Sequence, residues 1–546
     1  MRTSHSTERT VVPTQPASRV NSMEHLGTLK EQNTNTSSGR RNQILESDGR
    51  SNEDDLERAI DEEKAIEGEE DKKVEPEKQK DPNLIEWDGP DDPENPMNWP
   101  ARKKWINTVT MGMMTFCVTF ASSVFSNATR PTAELFHVST EVTTLGTSLF
   151  VLGFAVGPLI WGPFSEVFGR KLPLFTGYTL FAIFQIPVAV AVNLETIMLC
   201  RFFGGVFASA PLAIVGGALA DFFTAVDRGV AVCVFAGATF IGPIAGPIMG
   251  GFIVDSYLGW RWTAWITLIM ATFFGLLGLI IVSESSHPKI LQNRAKRIRF
   301  ETKNWAIHSE LDTKEINFKS ILQVYLLRPV KMLVLEPILL LITIYMALIY
   351  GMLYLFFEAY PISFQERRGW NAGVGALPFI GIALGVALGV GTIITVTKTR
   401  FKRKLIEHGR VIPEERLPPM ILGSVLLPAG LFWFAWTSSP NISWVPQVIS
   451  SVLIGWGILM IFLQGFNYII DVYLWYANSA IAANTLLRSS AGAGFPLFAT
   501  AMYHTLGVAW ATSLLGFLCI AMIPAPICFY IYGAKIRALS KFAPKV

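Results

Sequence analysis

The sequence predicts an all-α polytopic membrane protein, with twelve transmembrane helices in two six-helix bundles. Three observations predict it. Of 546 residues, 51% are hydrophobic and only 16% are charged, against about 25% charge in a typical soluble domain. The chain also holds twelve apolar segments of sufficient length, since about 20 residues cross the ~30 Å hydrocarbon core as a helix. Finally, a polar stretch from Glu284 to Lys331 divides these segments six and six.

The segments run over 105–127, 143–164, 173–193, 196–220, 229–253, 260–282, 334–357, 371–396, 418–437, 444–467, 478–503 and 509–533. They imply an acidic tail over 1–100, a first bundle over 101–283, a connecting loop over 284–331, a second bundle over 332–533 and a short basic tail over 534–546. The acidic tail, with its run Glu69-Glu70-Asp71-Lys72-Lys73, cannot bury enough apolar surface to offset chain entropy, so disorder is expected. Its first residues lack an apolar core and a cleavage site, which places it in the cytosol. Arg102–Lys104, Arg170-Lys171, Arg228, the Arg294–Arg299 cluster, Lys398–Arg410 and Lys535–Lys541 all fall on one side of the predicted spans. By the positive-inside rule, both termini and the connecting loop face the cytoplasm. The plasma membrane is the expected location, with the vacuolar membrane second.

Composition excludes several function classes. A net charge of +3 gives no reason to invoke nucleic acid. Cys117, Cys200, Cys233, Cys519 and Cys528 lie in apolar stretches without metal-ligand spacing, so neither a disulfide scaffold nor a metal site is indicated. No nucleophile–base pair or phosphate loop suggests an enzyme. The partners that remain are the bilayer and a small-molecule cargo, served by a monomer.

The loop between the second and third spans reads Gly162-Pro163-Phe164-Ser165-Glu166-Val167-Phe168-Gly169-Arg170-Lys171. A carboxylate, a turn glycine and two cations at this spacing place fixed charges at neighbouring helix ends. Asp221, ending the fourth span, is the candidate partner for Arg170, and Asp471, ending the tenth, occupies the corresponding place in the second half. Such pairs form a latch if they close in one conformation and part in another. As an orientation anchor, the same cluster would only set topology. The fifth span carries glycines at 242, 246 and 250, with Gly251, Pro243 and Pro247 beside them. This gives one groove that permits close helix approach, expected against the second bundle.

Ionisable residues inside spans are costly and mark function by default. Arg201 lies near the start of the fourth span, where it either acts in the membrane or snorkels to the interface. Arg488 is deeper, among residues able to line a wet cavity, and otherwise pairs with Asp471. Glu336 and Glu358 lie near span ends and read as interface markers. Phe356, Tyr468 and Phe495 are candidates to stack on a planar cargo. Asn127-Ala128-Thr129 and Asn441-Ile442-Ser443 are glycosylation acceptors on the far side.

The order Gly162, Glu166, Gly169, Arg170, Lys171 resembles the signature G-x-x-x-D-x-x-G-R-K of the major facilitator superfamily. Glu stands for Asp, and Val167 stands where Arg is common. Arg201-Phe202-Phe203-Gly204-Gly205 is similar to that family's fourth-helix motif, whose Arg is associated with proton coupling. Gly242, Gly246, Pro247, Gly250 and Gly251 match the antiporter motif G-x-x-x-G-P-x-x-G-G. Asn95–Pro100, Tyr350–Glu358 and the stretch from Asp471 through Arg488 to Phe498 resemble fungal twelve-span drug:proton antiporters. The resemblance covers about 81 to 535.

It implies a proton-coupled exporter of a small apolar or amphipathic molecule, such as a secondary metabolite, toxin or drug. The proton gradient supplies the energy and no cofactor is needed. It also implies proton coupling through Arg201 and a cytoplasmic gate of Glu166, Arg170, Lys171, Asp221, Arg228 and Asp471. The cargo cavity would lie between the halves. The rivals are a facilitated carrier importing an organic acid, polyamine or nutrient, and a non-transporting membrane sensor.

Overall fold

A computed structural model describes residues 81–313 and 326–543. The disorder expected for 1–80 and part of the connecting loop lie outside these residues. Among the described residues 11 helical stretches are long and apolar enough to cross a membrane, and the last holds two helices: α1 Ala101–Ser123, α2 Thr140–Val167, α3 Lys171–Ala189, α4 Leu194–Phe222, α5 Ala225–Asp255 and α6 Arg261–Ile281, then α7 Pro337–Tyr360, α8 Phe379–Val396, α9 Leu417–Trp436, α10 Trp444–Tyr473, and α11 and α12 over 477–506 and 508–538. Helices are what these segments must form in lipid, where every backbone polar group has to be satisfied within the segment. Among the described residues the sole β pairing is an isolated bridge between Leu84 and His308.

The last two helices form one apolar helical stretch of 62 residues, Ala477–Ala538. It is turned at Gly507, whose φ of 76° and ψ of 159° suit glycine. The side chains show the reversal. Tyr503 Oη lies 3.2 Å from Thr512 Oγ1, whereas nine residues along a straight helix would separate them by about 13.5 Å.

In the first bundle α1 packs on α5 and α6, α2 on α4, and α3 on α4 and α6. In the second, α7 packs on α11, while α9 and α8 pack on α10. The bundles meet where α2 lies against α11 and α5 against α8. Each bundle has its own aromatic core: Phe150, Phe154, Tyr178 and Phe181 in the first, Tyr345, Phe356, Tyr360 and Phe434 in the second, all nearly inaccessible.

Residues 81–100 depart from the disorder expected of the tail. They are held on the connector helix His287–Thr302. Arg294 pairs with Asp88 and Asp92, and Arg297 with Glu94. A cationic helix thus supplies the partners that the acidic segment cannot find within itself. The C-terminal segment is likewise anchored: buried Glu336 accepts hydrogen bonds from Ser540 Oγ at 2.6 Å and Lys541 N at 2.8 Å.

Candidate functional site

The latch residues assemble on the basic face, the face that carries the connector. Gly169 adopts φ 85°, and a Cβ there would sit 2.7 Å from Glu284 Oε2, so the turn requires glycine. Glu284 then accepts from the backbone N–H of Arg170 and Lys171 at 2.8 and 3.0 Å, satisfying otherwise unpaired donors at the start of α3. Arg170 Nε donates to Asp221 Oδ2 at 3.0 Å. Its Nη1 donates to Ser165 Oγ, which itself donates to the Gly162 carbonyl. Lys171 Nζ donates to Leu279 O at 3.3 Å. Among the described residues Arg228 has no ion-pair partner.

The Arg170–Asp221 pair therefore lies wholly within the first bundle. A contact that does cross between bundles here is Asn478 Nδ2 donating to Glu166 Oε1 at 2.8 Å. Asp471 is similarly internal to the second bundle, where it accepts from Arg416 Nε at 2.8 Å, both side chains 9% exposed. Beside it Arg537 donates to both oxygens of Glu414 at 2.9 and 3.0 Å. Arg416 and Arg170 hold equivalent places, each at the residue before its helix. On the far face, Arg130 pairs with Glu366 at 3.2 Å and Asp255 accepts from Gly373 N at 3.0 Å. The bundles are thus bridged on both faces.

The glycine seam of α5 faces elsewhere than expected. A Cβ at Gly242 would lie 2.1 Å from Thr119 Oγ1, at Gly246 2.0 Å from Ser123 Oγ, and at Gly250 2.8 Å from Val124 O. These three press on α1 and its continuation in the same bundle. Only the last residue of the motif, Gly251, faces the second bundle, where a Cβ would lie 2.5 Å from Ala372 O. Glycines spaced by four line one helix face, and their neighbour at 251 points away from it. Asn127 donates its side-chain amide to Pro247 O at 2.7 Å beside this seam. Its nitrogen is committed and half-buried, which corrects its reading as a glycosylation acceptor; Asn441 is exposed in a turn.

Arg201 does not snorkel. It is 2% exposed and turns inward, donating to Gly146 O, Ala121 O and Ser122 O at 2.9, 2.8 and 3.2 Å. Its guanidinium lies 4.4 Å from the Phe150 ring centre and 4.9 Å from that of Phe125. Two of the three acceptors are carbonyls in the last turn of α1, which lack intrahelical donors and carry the negative end of the helix dipole.

From there a chain of polar contacts crosses into the second bundle. Ser122 Oγ lies 2.9 Å from Tyr354 Oη, which lies 3.4 Å from Tyr350 Oη. The Arg488 guanidinium sits 4.8 Å from the ring centres of both Tyr350 and Phe462, and Phe462 meets Phe240 of α5 edge-on at 4.7 Å. Arg488 does not pair with Asp471, because Asp471 is taken by Arg416. Two other candidate cavity residues are also relocated. Phe356 packs on Tyr360 and Phe434, and Tyr468 stacks on Phe529 at 6.3 Å, so both belong to the second bundle's core. Phe495 packs over Gly351 between α7 and α11. Helices apolar on every side carry no sequence mark of which face is internal.

Sequence reasoning missed Glu284, Asn478, Arg416 and Tyr354. The signal for Arg416 is present: an Arg directly before the ninth span, as Arg170 stands before the third.

A family model described as Major Facilitator Superfamily matches residues 111–496. The chain is 62% identical to the citrinin biosynthesis cluster MFS transporter of Monascus ruber, over 85% of this chain and 93% of that protein. It is 56% identical to the ascochitine biosynthesis cluster MFS transporter of Didymella fabae, over 85% and 90% respectively. Among solved structures it resembles the proton:xylose symporter XylE, with a TM-score of 0.56 and 14% identity over 80% of this chain and 96% of that one. That likeness is one of fold.

Proposed function

The chain belongs to the Major Facilitator Superfamily, a non-enzymatic family of multi-pass membrane transporters of small molecules, and from that premise we propose that it is a proton-coupled exporter of a secondary metabolite. The relatives' assignment to citrinin and ascochitine biosynthesis clusters carries the export reading. A cluster that makes a metabolite needs a route for it out of the cytosol.

The mechanism is alternating access by rocking of the two bundles. Parting Asn478 from Glu166 opens the basic face, taken as cytoplasmic. Parting Arg130 from Glu366 and Gly373 from Asp255 opens the far face. Arg201 stays charged at neutral pH, so it acts on the coupling electrostatically, through the α1 carbonyls and the Ser122–Tyr354 contact. The proton is carried by Glu358, a half-buried carboxylate one turn beyond Tyr354 on α7. The plasma membrane is the proposed site of action.

The test is efflux from inside-out vesicles of cells making the metabolite, with and without an imposed proton gradient. Gradient-driven accumulation by the wild-type protein, lost in Glu358→Gln, is expected. Uncoupler-insensitive exchange overturns the proton-coupled reading. Comparing metabolites in medium and cells of a deletion strain identifies the cargo.

A further inference from the structure

Among the described residues Arg488 is a cation without a counter-charge. Its Nε is buried with no hydrogen-bond partner, and its guanidinium rests on the faces of Tyr350 and Phe462. Other arginines drawn into the bundles are satisfied: Arg170 by Asp221, Arg416 by Asp471, Arg537 by Glu414 and Arg201 by three carbonyls. An unpaired cation half-buried within the membrane is costly, and the rings offset only part of that cost.

The place is where a cargo would sit. Arg488 is eleven residues into α11, Tyr350 thirteen into α7, and Phe462 eleven from the end of α10. At 1.5 Å per residue each lies about 16–20 Å from the basic face, near the middle of the membrane. It is also the junction of the two bundles. A Cβ at Gly492, one turn beyond Arg488, would meet Tyr350 at 2.8 Å and Val151 of α2 at 3.2 Å. Phe240 of α5 closes on Phe462 from the first bundle.

We propose that the cargo is an aromatic organic anion, its carboxylate or phenolate bound by the Arg488 guanidinium and its ring held by Tyr350 and Phe462. This rests on the transporter reading above and names the cargo class. A carboxylate supplies the two acceptors that a guanidinium fork lacks here. A planar ring suits the aromatic walls, whereas a cationic cargo meets repulsion from Arg488, with which no carboxylate among the described residues pairs. A membrane potential negative inside would itself drive such an anion outward.

The test uses the purified full-length protein and three probes of one shape: 2-naphthoate, its neutral methyl ester, and the naphthyl-2-trimethylammonium cation. Binding is read from ligand-induced thermal shifts. The expected result is naphthoate bound at least tenfold more tightly than the ester, the cation weakest, the preference erased in Arg488→Gln and partly kept in Arg488→Lys. The wild-type comparison stands even if a variant folds poorly. Equal binding of ester and naphthoate, no binding by any probe, tightest binding of the cation, or an anion preference surviving in Arg488→Gln each overturns the proposal. Flux in proteoliposomes separates it from the export reading. Anion preference without proton-driven efflux removes the exporter and keeps the cargo class; proton-driven efflux without anion preference does the reverse.

Discussion

Arg201→Ala removes one side chain and leaves three buried carbonyls, of Gly146, Ala121 and Ser122, without their donor. Hydrogen bonds from a charged group are worth about 1.5–3 kcal/mol each, so three set a ceiling of roughly 5–9 kcal/mol. The three share one donor and are not additive. Deleting the cation also relieves its own desolvation, so the net loss is about 3 kcal/mol. At about 2–4 °C per kcal/mol this lowers the melting temperature by roughly 6–12 °C. Arg201→Lys keeps the charge but not the planar fork, and should fall between the two. The assay pairs thermal unfolding of purified protein with gradient-driven flux in proteoliposomes, scaled to folded protein. Both quantities should drop in Arg201→Ala, with residual flux no longer responding to the proton gradient. Unchanged melting and unchanged coupled flux refute the whole argument. A lowered melting temperature with normal coupled flux per folded molecule makes Arg201 a cap on α1 and nothing more.

Four further outcomes follow from the geometry. Asn478→Ala removes the charged bridge to Glu166, worth about 1 kcal/mol at this partly solvated site, or roughly a fivefold population shift; labelling of engineered cysteines from the basic face should rise, and unchanged labelling counts against the bridge as a gate. Asp471→Asn should cost about 3–5 kcal/mol by stranding buried Arg416, and Asp471→Asn with Arg416→Met should recover part of it; a double variant no more stable than the single one, by thermal unfolding, contradicts this. Gly246→Val has no room for its Cβ against Ser123 and should abolish recovery of folded protein, whereas Gly216→Ala, with nothing within 4 Å, should be neutral; size-exclusion profiles distinguish them. The Asp92 carboxyl is held below its usual range by the Asp88 backbone N–H first, and by Glu94 N–H and Arg294, against the opposing effect of burial. Its contribution is therefore present above the ordinary carboxylate value near ~3.9 and is lost only as pH falls through the lowered folded value. Protection of the 81–99 amides from exchange, relative to the unfolded chain at the same pH, should hold from neutral pH to about 5 and fall only in stronger acid, while Arg294→Gln should lower it at neutral pH.

What was legible in the sequence is what depends on neighbours along the chain. The spans follow from runs of apolar residues, and the turn at Gly169 follows from a glycine between a carboxylate and two cations. The fate of a single side chain was not legible where it depends on which helix lies opposite. Arg201 sits seven residues inside α4, close enough to the interface to snorkel, yet the end of α1 offers it better acceptors. Asp471 looked available to Arg488 because Arg416, fifty-five residues earlier, is brought to it only by the fold. Phe356 and Tyr468 face inward within their own bundle because helix rotation is set by packing, which an apolar-all-round helix does not announce.

The same geometry decides which motion is cheap. Within each bundle the charges are paired in partly or wholly buried sites, Arg170 with Asp221 in one, Arg416 with Asp471 and Arg537 with Glu414 in the other. Breaking a buried pair by removing one partner costs about 3–5 kcal/mol. Between the bundles, Arg130–Glu366 is 65% and 34% exposed, in the range where ion pairs are worth about 0–1 kcal/mol, and the Asn478–Glu166 bridge also lies at the surface. The latches therefore hold each bundle rigid instead of holding the two together, and on the two faces rocking breaks the weak set. Glu166 differs from the rest of its motif in that it also reaches the other bundle, through Asn478. A variant that weakens Arg170–Asp221 should accordingly soften a bundle, lowering stability along with flux, while one that weakens Glu166–Asn478 should shift the balance of open states with little loss of stability.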